Sequence, residues 1–178
     1  MAREKALLNA DDIRQTLERL AAEVVERHPA CADLVVVGIQ RRGADLARRL
    51  QTSFSSFCAM DVPLAELDIN LYRDDWSNSS HMPIITPSRM PVDITNKAIL
   101  LVDDVLYTGR TTRAALEALL DFGRPRCVEL LTLVDRGHRE LPIQADYIGY
   151  TIPTSRESHV DVHLVERDGD DGVYLTEP

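Results

Sequence analysis

The chain has 178 residues, 44% of them hydrophobic and 28% charged, and carries a formal net charge of −9. That length supports one sizeable core, and the composition excludes a disordered or collagen-like chain. The negative balance also argues against coating nucleic acid by bulk electrostatics, which needs clustered Lys and Arg.

No apolar run reaches the roughly 18 to 20 residues needed to cross a bilayer, and the polar start Met1-Ala2-Arg3-Glu4-Lys5 leads into no signal-peptide core. A cytoplasmic protein with no membrane partner, folded as a single domain over residues 1–178, is therefore expected. Cys31, Cys58 and Cys127 are odd in number and widely spaced, without a C-x-x-C pair. They predict unpaired, buried or incidental thiols rather than a disulfide or zinc framework.

In chain order, Ile13, Leu17, Leu20, Ala21, Val24 and Val25 recur at helical spacing between Ala10 and His28, with Asn9 or Asp11 as N-cap and Pro29 beyond the end. Leu34 to Val37 is a β-branched strand ending at Gly38. After the turn Gln40-Arg41-Arg42-Gly43, helical spacing returns through Ala44, Leu46, Ala47 and Leu50. Asp61 to Tyr72 reads as an extended piece, followed by a long loop from Arg73 to Asp93 rich in Asp, Ser, Asn and Pro.

Ala98 to Val102 is continuously apolar, as in a strand buried on both faces. The helix after it runs from about Arg110 to Phe122 and is closed by Gly123 and Pro125. Val128 to Val134 and Tyr147 to Ile152 supply further strands. This alternation predicts an α/β fold with a mostly parallel central sheet flanked by helices, whose ligand site lies off the carboxyl ends of the strands. The loops 38–43 and 103–111 both leave such ends, so they are expected to converge on one ligand.

The chemistry concentrates in Val102-Asp103-Asp104-Val105-Leu106-Tyr107-Thr108-Gly109-Arg110-Thr111-Thr112. The strand delivers two carboxylates whose side chains point to opposite faces, so they cannot do identical work. The turn Thr108-Gly109-Arg110-Thr111 opens a helix, where free N–H groups and the helix dipole favour an anion. Neither a P-loop nor a G-x-G-x-x-G spacing is present. Carboxylates beside a single phosphate nest suit a ribose 5-phosphate, although an ordinary strand followed by a capped helix also uses Asp and Thr here. The run Asp168-Gly169-Asp170-Asp171-Gly172 lacks the remaining ligands of a calcium loop and reads as a solvated acidic turn.

Residues 102 to 112 resemble the phosphoribosyl pyrophosphate motif of type I phosphoribosyltransferases. Asp68-Ile69-Asn70-Leu71-Tyr72-Arg73-Asp74-Asp75, Pro91-Val92-Asp93-Ile94, Leu133 to Ile143 and Ala145-Asp146-Tyr147-Ile148-Gly149 extend the resemblance to the PyrR family of pyrimidine-operon regulators that are also uracil phosphoribosyltransferases. The resemblance covers nearly the whole chain. It implies the type I phosphoribosyltransferase fold with a small hood, about 135–160, and a mobile flap loop, about 73–93.

By that resemblance Asp103, Asp104 and Arg73 are the catalytic candidates. Asp103 and Asp104 contact the ribose hydroxyls, and the segment Val105, Leu106, Tyr107, Thr108, Gly109, Arg110, Thr111 and Thr112 holds the 5-phosphate. Gln40, Arg41 and Arg42, beside Gly43, receive the pyrophosphate, and two guanidinium groups suit a leaving group that gains negative charge. Arg73 stands at the base of the flap, and Asp74, Asp75 and Trp76 belong to the flap or to the surface. Asp135, Arg136, His138 and Ile152, with Pro153 and Thr154, lie against uracil. Magnesium arrives with phosphoribosyl pyrophosphate rather than in a protein cage. His28, His81, His159 and His163 have no assigned role.

The implied partners are phosphoribosyl pyrophosphate, uracil, UMP and pyrimidine leader mRNA, in a homo-oligomer, dimer or tetramer. Two readings compete with this. The phosphoribosyl site alone does not select the base, which leaves a purine phosphoribosyltransferase open. The first helix sets Asp11, Asp12, Glu18, Glu23 and Glu26 against Arg14, Arg19 and Arg27, and Tyr150 and Thr151 are uncharged. A salvage enzyme without RNA binding fits those charges.

Overall fold

The computed structural model describes residues 3–29, 31–58, 61–74 and 87–178. Asp75, Trp76 and His81 of the expected flap segment lie outside the described residues. The elements are β1 (Arg3–Asn9), α1 (Ala10–Arg27), β2 (Leu34–Ile39), α2 (Arg42–Phe54), β3 (Leu64–Leu67), a 3-10 turn (Asn70–Tyr72), β4 (Ala98–Leu106), α3 (Arg110–Leu120), β5 (Cys127–Asp135), β6 (Tyr147–Thr151), β7 (His159–His163), α4 (Val165–Asp168) and β8 (Gly172–Glu177).

A five-stranded parallel sheet in the order β3-β2-β4-β5-β6 forms the centre. Strands β2 and β4 at its centre are covered on both faces, which is why they read as continuous apolar runs. The pleat sorts the side chains. Leu34, Val36, Leu100, Val102 and Leu131 pack with Leu17 and Leu20 of α1 and with Leu46 and Leu50 of α2. Val35, Val37, Ile99 and Leu101 pack with Ala115 and Leu119 of α3 on the other face.

Helix α1 begins with a reciprocal capping box, in which the Asn9 side chain accepts from the Asp12 N–H and Asp12 accepts from the Asn9 N–H. Strand β2 has β3 on one side and β4 on the other, so the order reverses there. Crevices at such switch points, beyond the carboxyl ends of the strands, are where open α/β sheets bind ligands.

The structure corrects four expectations. Strand β4 does not stop at Val102: its pairing with β5 continues through Asp103, Val105 and Leu106. Two carboxylates interrupt the apolar run, while the backbone ladder goes on and Leu106 is buried again beside α3. Only Leu64–Leu67 of the expected extended piece is a strand, because the Asp68 carboxylate accepts from the Asn70 N–H and turns the chain.

Cys31 and Cys58 are paired as a disulfide, with Cα atoms 6.4 Å apart, and Cys127 is the free thiol. Spacing in sequence gave no sign of it, because the packing of α1 and α2 brings the two residues together. Finally, a second sheet, β1-β8-β7, draws antiparallel strands from both ends of the chain. Within residues 135–160, β6 is an edge strand of the main sheet, with a loop on either side of it.

Candidate active site

The turn expected to hold a phosphate lies where β4 hands over to α3. Gly109 takes a left-handed conformation, φ 89°, which glycine adopts without the cost a side chain would add. The Thr108 hydroxyl accepts from the Arg110 N–H at 3.3 Å. Residues 105–112, with Arg73, Asp74 and Asp103, line a cavity of about 300 Å³. Within this nest the Thr112 hydroxyl is buried and has no hydrogen-bond partner among the described residues. A buried, unused donor at a helix start is costly unless something binds there.

A second cavity, about 340 Å³, is lined by Ile39, Gln40, Arg41, Arg42, Ile69, Asp104 and four residues of the first cavity, Arg73, Asp103, Val105 and Thr111. The two loops expected to converge therefore do so, across the β2–β4 switch point. The pleat gives the carboxylates different neighbours. Asp103 lies on the α3 side and lines the nest cavity. Asp104 lies on the α2 side, where Arg42 stabilises its charge.

Burial raises the pKa of Asp103 well above the ordinary carboxylate range, and the neighbouring Asp104 charge raises it further, against the partial relief of Arg73. Burial also raises Asp104, opposed by the Val105 N–H, 2.9 Å from Oδ1, and by Arg42. Such a pair favours arrival of positive charge or hydroxyl donors.

Arg41 is exposed at the rim. Arg42 emerges from the first turn of α2 with Nη2 3.0 Å from Asp168 Oδ1 and Nε 3.4 Å from its other oxygen. Arg110 contributes its backbone to the nest, but its guanidinium turns away, to Asp74 at 2.8 Å and Glu140 at 2.7 Å. Arg113 also bonds Asp74 and the Tyr72 carbonyl, so the chain around Arg73 is stitched to α3.

The four residues expected against the base line one cavity, which shares no residue with the two above. Asp135, Arg136, His138 and Ile152 line a third cavity of about 630 Å³ with Arg139, Pro153 and Thr154. Their side chains are largely occupied. Arg136 is buried, donates to the Ser155 and Ser158 carbonyls at 3.0 and 2.6 Å, and lies 4.1 Å from the Tyr107 ring centre. His138 Nε2 is 2.6 Å from the Thr154 carbonyl oxygen, and Asp135 bonds Arg139 at 2.5 Å.

Three residues near the site went unnominated from sequence. Arg139 bonds the Tyr107 and Ile143 carbonyls and so ties the base-side loop to the start of the nest. Asp74 pairs with two arginines of α3. Asp168 holds Arg42 and Asp171 holds Arg49, so the exposed acidic turn also makes ion pairs with arginines of α2. The only available signal was the acidic run itself, whose partners are more than a hundred residues away.

The chain matches the family model described as Phosphoribosyl transferase domain over residues 4–167. It is 49% identical over 178 residues to the bifunctional protein PyrR of Pelotomaculum thermopropionicum, covering 99% of this chain and 98% of that one. Against the bifunctional protein PyrR of Thermus aquaticus it is 52% identical over 171 residues, covering 96% and 94%. A hypoxanthine phosphoribosyltransferase from Staphylococcus aureus superposes with a TM-score of 0.72 at 24% identity, covering 98% of this chain and 93% of that one. The enzyme from Trypanosoma cruzi gives 0.76 at 18%, covering 99% and 96%. At those identities the two structures share the fold.

Fold and family model together define a type I phosphoribosyltransferase. Within that class, the chain belongs to the PyrR family.

Proposed function

We propose that the protein transfers the phosphoribosyl group of phosphoribosyl pyrophosphate to uracil, giving UMP and pyrophosphate. The observation that carries this reading is the pair of adjoining cavities, in which a phosphate nest, buried Asp103, half-buried Asp104 and three arginines meet. The C1–O bond to pyrophosphate breaks, uracil N1 takes over C1, and the N1 proton leaves to solvent or to a leaving oxygen.

Asp103 and Asp104 hold the ribose hydroxyls while Thr108 to Thr112 hold the 5-phosphate, fixing C1 against the base. Arg41, Arg42 and Arg73 stabilise the charge that grows on pyrophosphate. Magnesium bound beside Asp103 and Asp104 would supply further charge neutralisation. The protein's donor set, two carboxylates in one cavity, fits a hard cation that keeps several waters and binds mainly through diphosphate oxygens. Uracil occupies the cavity of Asp135, Arg136, His138 and Ile152, whose largely engaged side chains leave much of the recognition to backbone groups.

The regulatory half of the reading, UMP-dependent binding of pyrimidine leader mRNA, rests on the relatives' name as bifunctional PyrR proteins. Along α1 the arginines are already paired, Arg14 with Asp11 and Glu18, and Arg19 with Glu23. Helix α1 is therefore a poor candidate for the RNA-binding face. A cytoplasmic homo-oligomer completes the reading, and among the described residues no helix is long and apolar enough to cross a membrane.

Chromatography of reactions containing uracil, phosphoribosyl pyrophosphate and magnesium should show UMP, with Asp104→Asn strongly impaired. Absence of UMP from the wild-type reaction contradicts the enzymatic reading. Gel-shift titration of the cognate leader at low salt, with and without UMP, decides the regulatory one, and no shift rejects it.

A further inference from the structure

The acidic turn between β7 and β8 is bolted to the helix that starts at the pyrophosphate loop. Arg49 of α2 reaches Asp171 at 2.7 and 2.8 Å and Glu166 at 2.9 and 2.5 Å. Arg167 pairs with Asp45, which is buried in the first turn of α2 and also bonds Arg48 at 2.5 Å. Asp168 accepts from the Leu164 N–H at 2.9 Å, which fixes its carboxylate and holds its pKa below the usual range. That fixed carboxylate engages the Nε and Nη2 edge of Arg42. Arg42 Nη1 makes no hydrogen bond among the described residues, and Arg42 lines the cavity shared with Asp104.

We infer that Asp168 is a positioning residue for the pyrophosphate site: it holds one edge of the Arg42 guanidinium and leaves the remaining N–H groups oriented for a diphosphate. This rests on the proposed assignment of Arg42 to pyrophosphate. A side chain locked before binding loses less rotamer freedom on meeting its ligand, and an arginine fork serves two anions at once. The clamp reaches the site from the far end of the chain, so the small sheet β1-β8-β7 takes part in substrate binding without lining the cavity.

The test is calorimetric titration of the full-length protein with magnesium pyrophosphate, alongside the KM for phosphoribosyl pyrophosphate. Asp168→Asn should weaken pyrophosphate about tenfold and raise that KM similarly, with the KM for uracil unchanged, and Asp168→Glu should recover part of the loss. Glu166→Gln breaks a bridge between the same two elements without touching Arg42 and should leave both constants within about twofold, which separates positioning from general loosening. Unchanged pyrophosphate affinity in Asp168→Asn, or an equal loss in Glu166→Gln, overturns the inference. A wild-type protein that binds magnesium pyrophosphate but makes no UMP refutes the uracil reaction and leaves this inference standing.

Discussion

A β-carbon added to Gly43 would stand 2.4 Å from the carbonyl oxygen of Val102. The turn that carries Arg41 and Arg42 therefore rests on the backbone of the residue that precedes Asp103, and the two halves of the site are set against each other by direct contact. Gly43→Ala cannot be accommodated by a side-chain adjustment, because backbone meets backbone. A loss of about 1–3 kcal/mol is expected, and a thermal melt should drop by roughly 2–4 °C for each kcal/mol. Pyrophosphate release should fall further than stability explains, since the arginines shift relative to Asp103. A melt and an activity equal to wild type would mean the contact is not maintained in solution.

The buried carboxylates give a stability that depends on pH with a definite sign. Asp103 has a folded pKa above its unfolded value, so the unfolded chain ionises first as pH rises. The contribution of this group is neutral below the unfolded value and becomes unfavourable above it, reaching its full penalty above the folded value. Asp103→Asn should accordingly raise the melting temperature at pH 7 and lose that advantage at acid pH, while activity collapses. Measuring melts of both proteins between pH 4 and pH 8 checks it; a variant destabilised at neutral pH contradicts it.

Thr112 separates binding from folding. Its hydroxyl is buried without a partner, so Thr112→Val, which keeps the shape, should leave stability equal or slightly improved. Affinity for a ribose 5-phosphate should fall by roughly tenfold, one hydrogen bond to a charged acceptor. Isothermal titration with UMP reads the second quantity and urea unfolding the first. A large stability loss with intact affinity would reverse the assignment.

Arg136 is expected to matter through the scaffold. Removing its guanidinium strands the Ser155 and Ser158 carbonyls, so Arg136→Met should cost about 2–4 kcal/mol in urea unfolding. At low temperature, where the variant stays folded, the KM for uracil should move less than threefold. A large KM change without loss of stability would instead place the guanidinium on the base.

The central sheet was legible because parallel strands covered on both faces announce themselves as apolar runs, and the turn into α3 because a strand, a glycine and a helix start are contiguous in sequence. Convergence of the loops after β2 and β4 followed from strand order alone. What escaped depends on distant pairing. Strand β1 pairs with β8 across almost the whole chain, Cys31 meets Cys58 only through helix packing, and the partner of Arg42 lies 126 residues away. The side chains of Arg110 and Arg136 were legible as members of their motifs but not in their direction, since ion-pair partners decide where a long cationic side chain points.

The most direct test of the account is base selection. Purified protein given magnesium, phosphoribosyl pyrophosphate and equal concentrations of uracil and hypoxanthine should release pyrophosphate with UMP as the accompanying product. Inosine monophosphate as the main product, with uracil untouched, would contradict it.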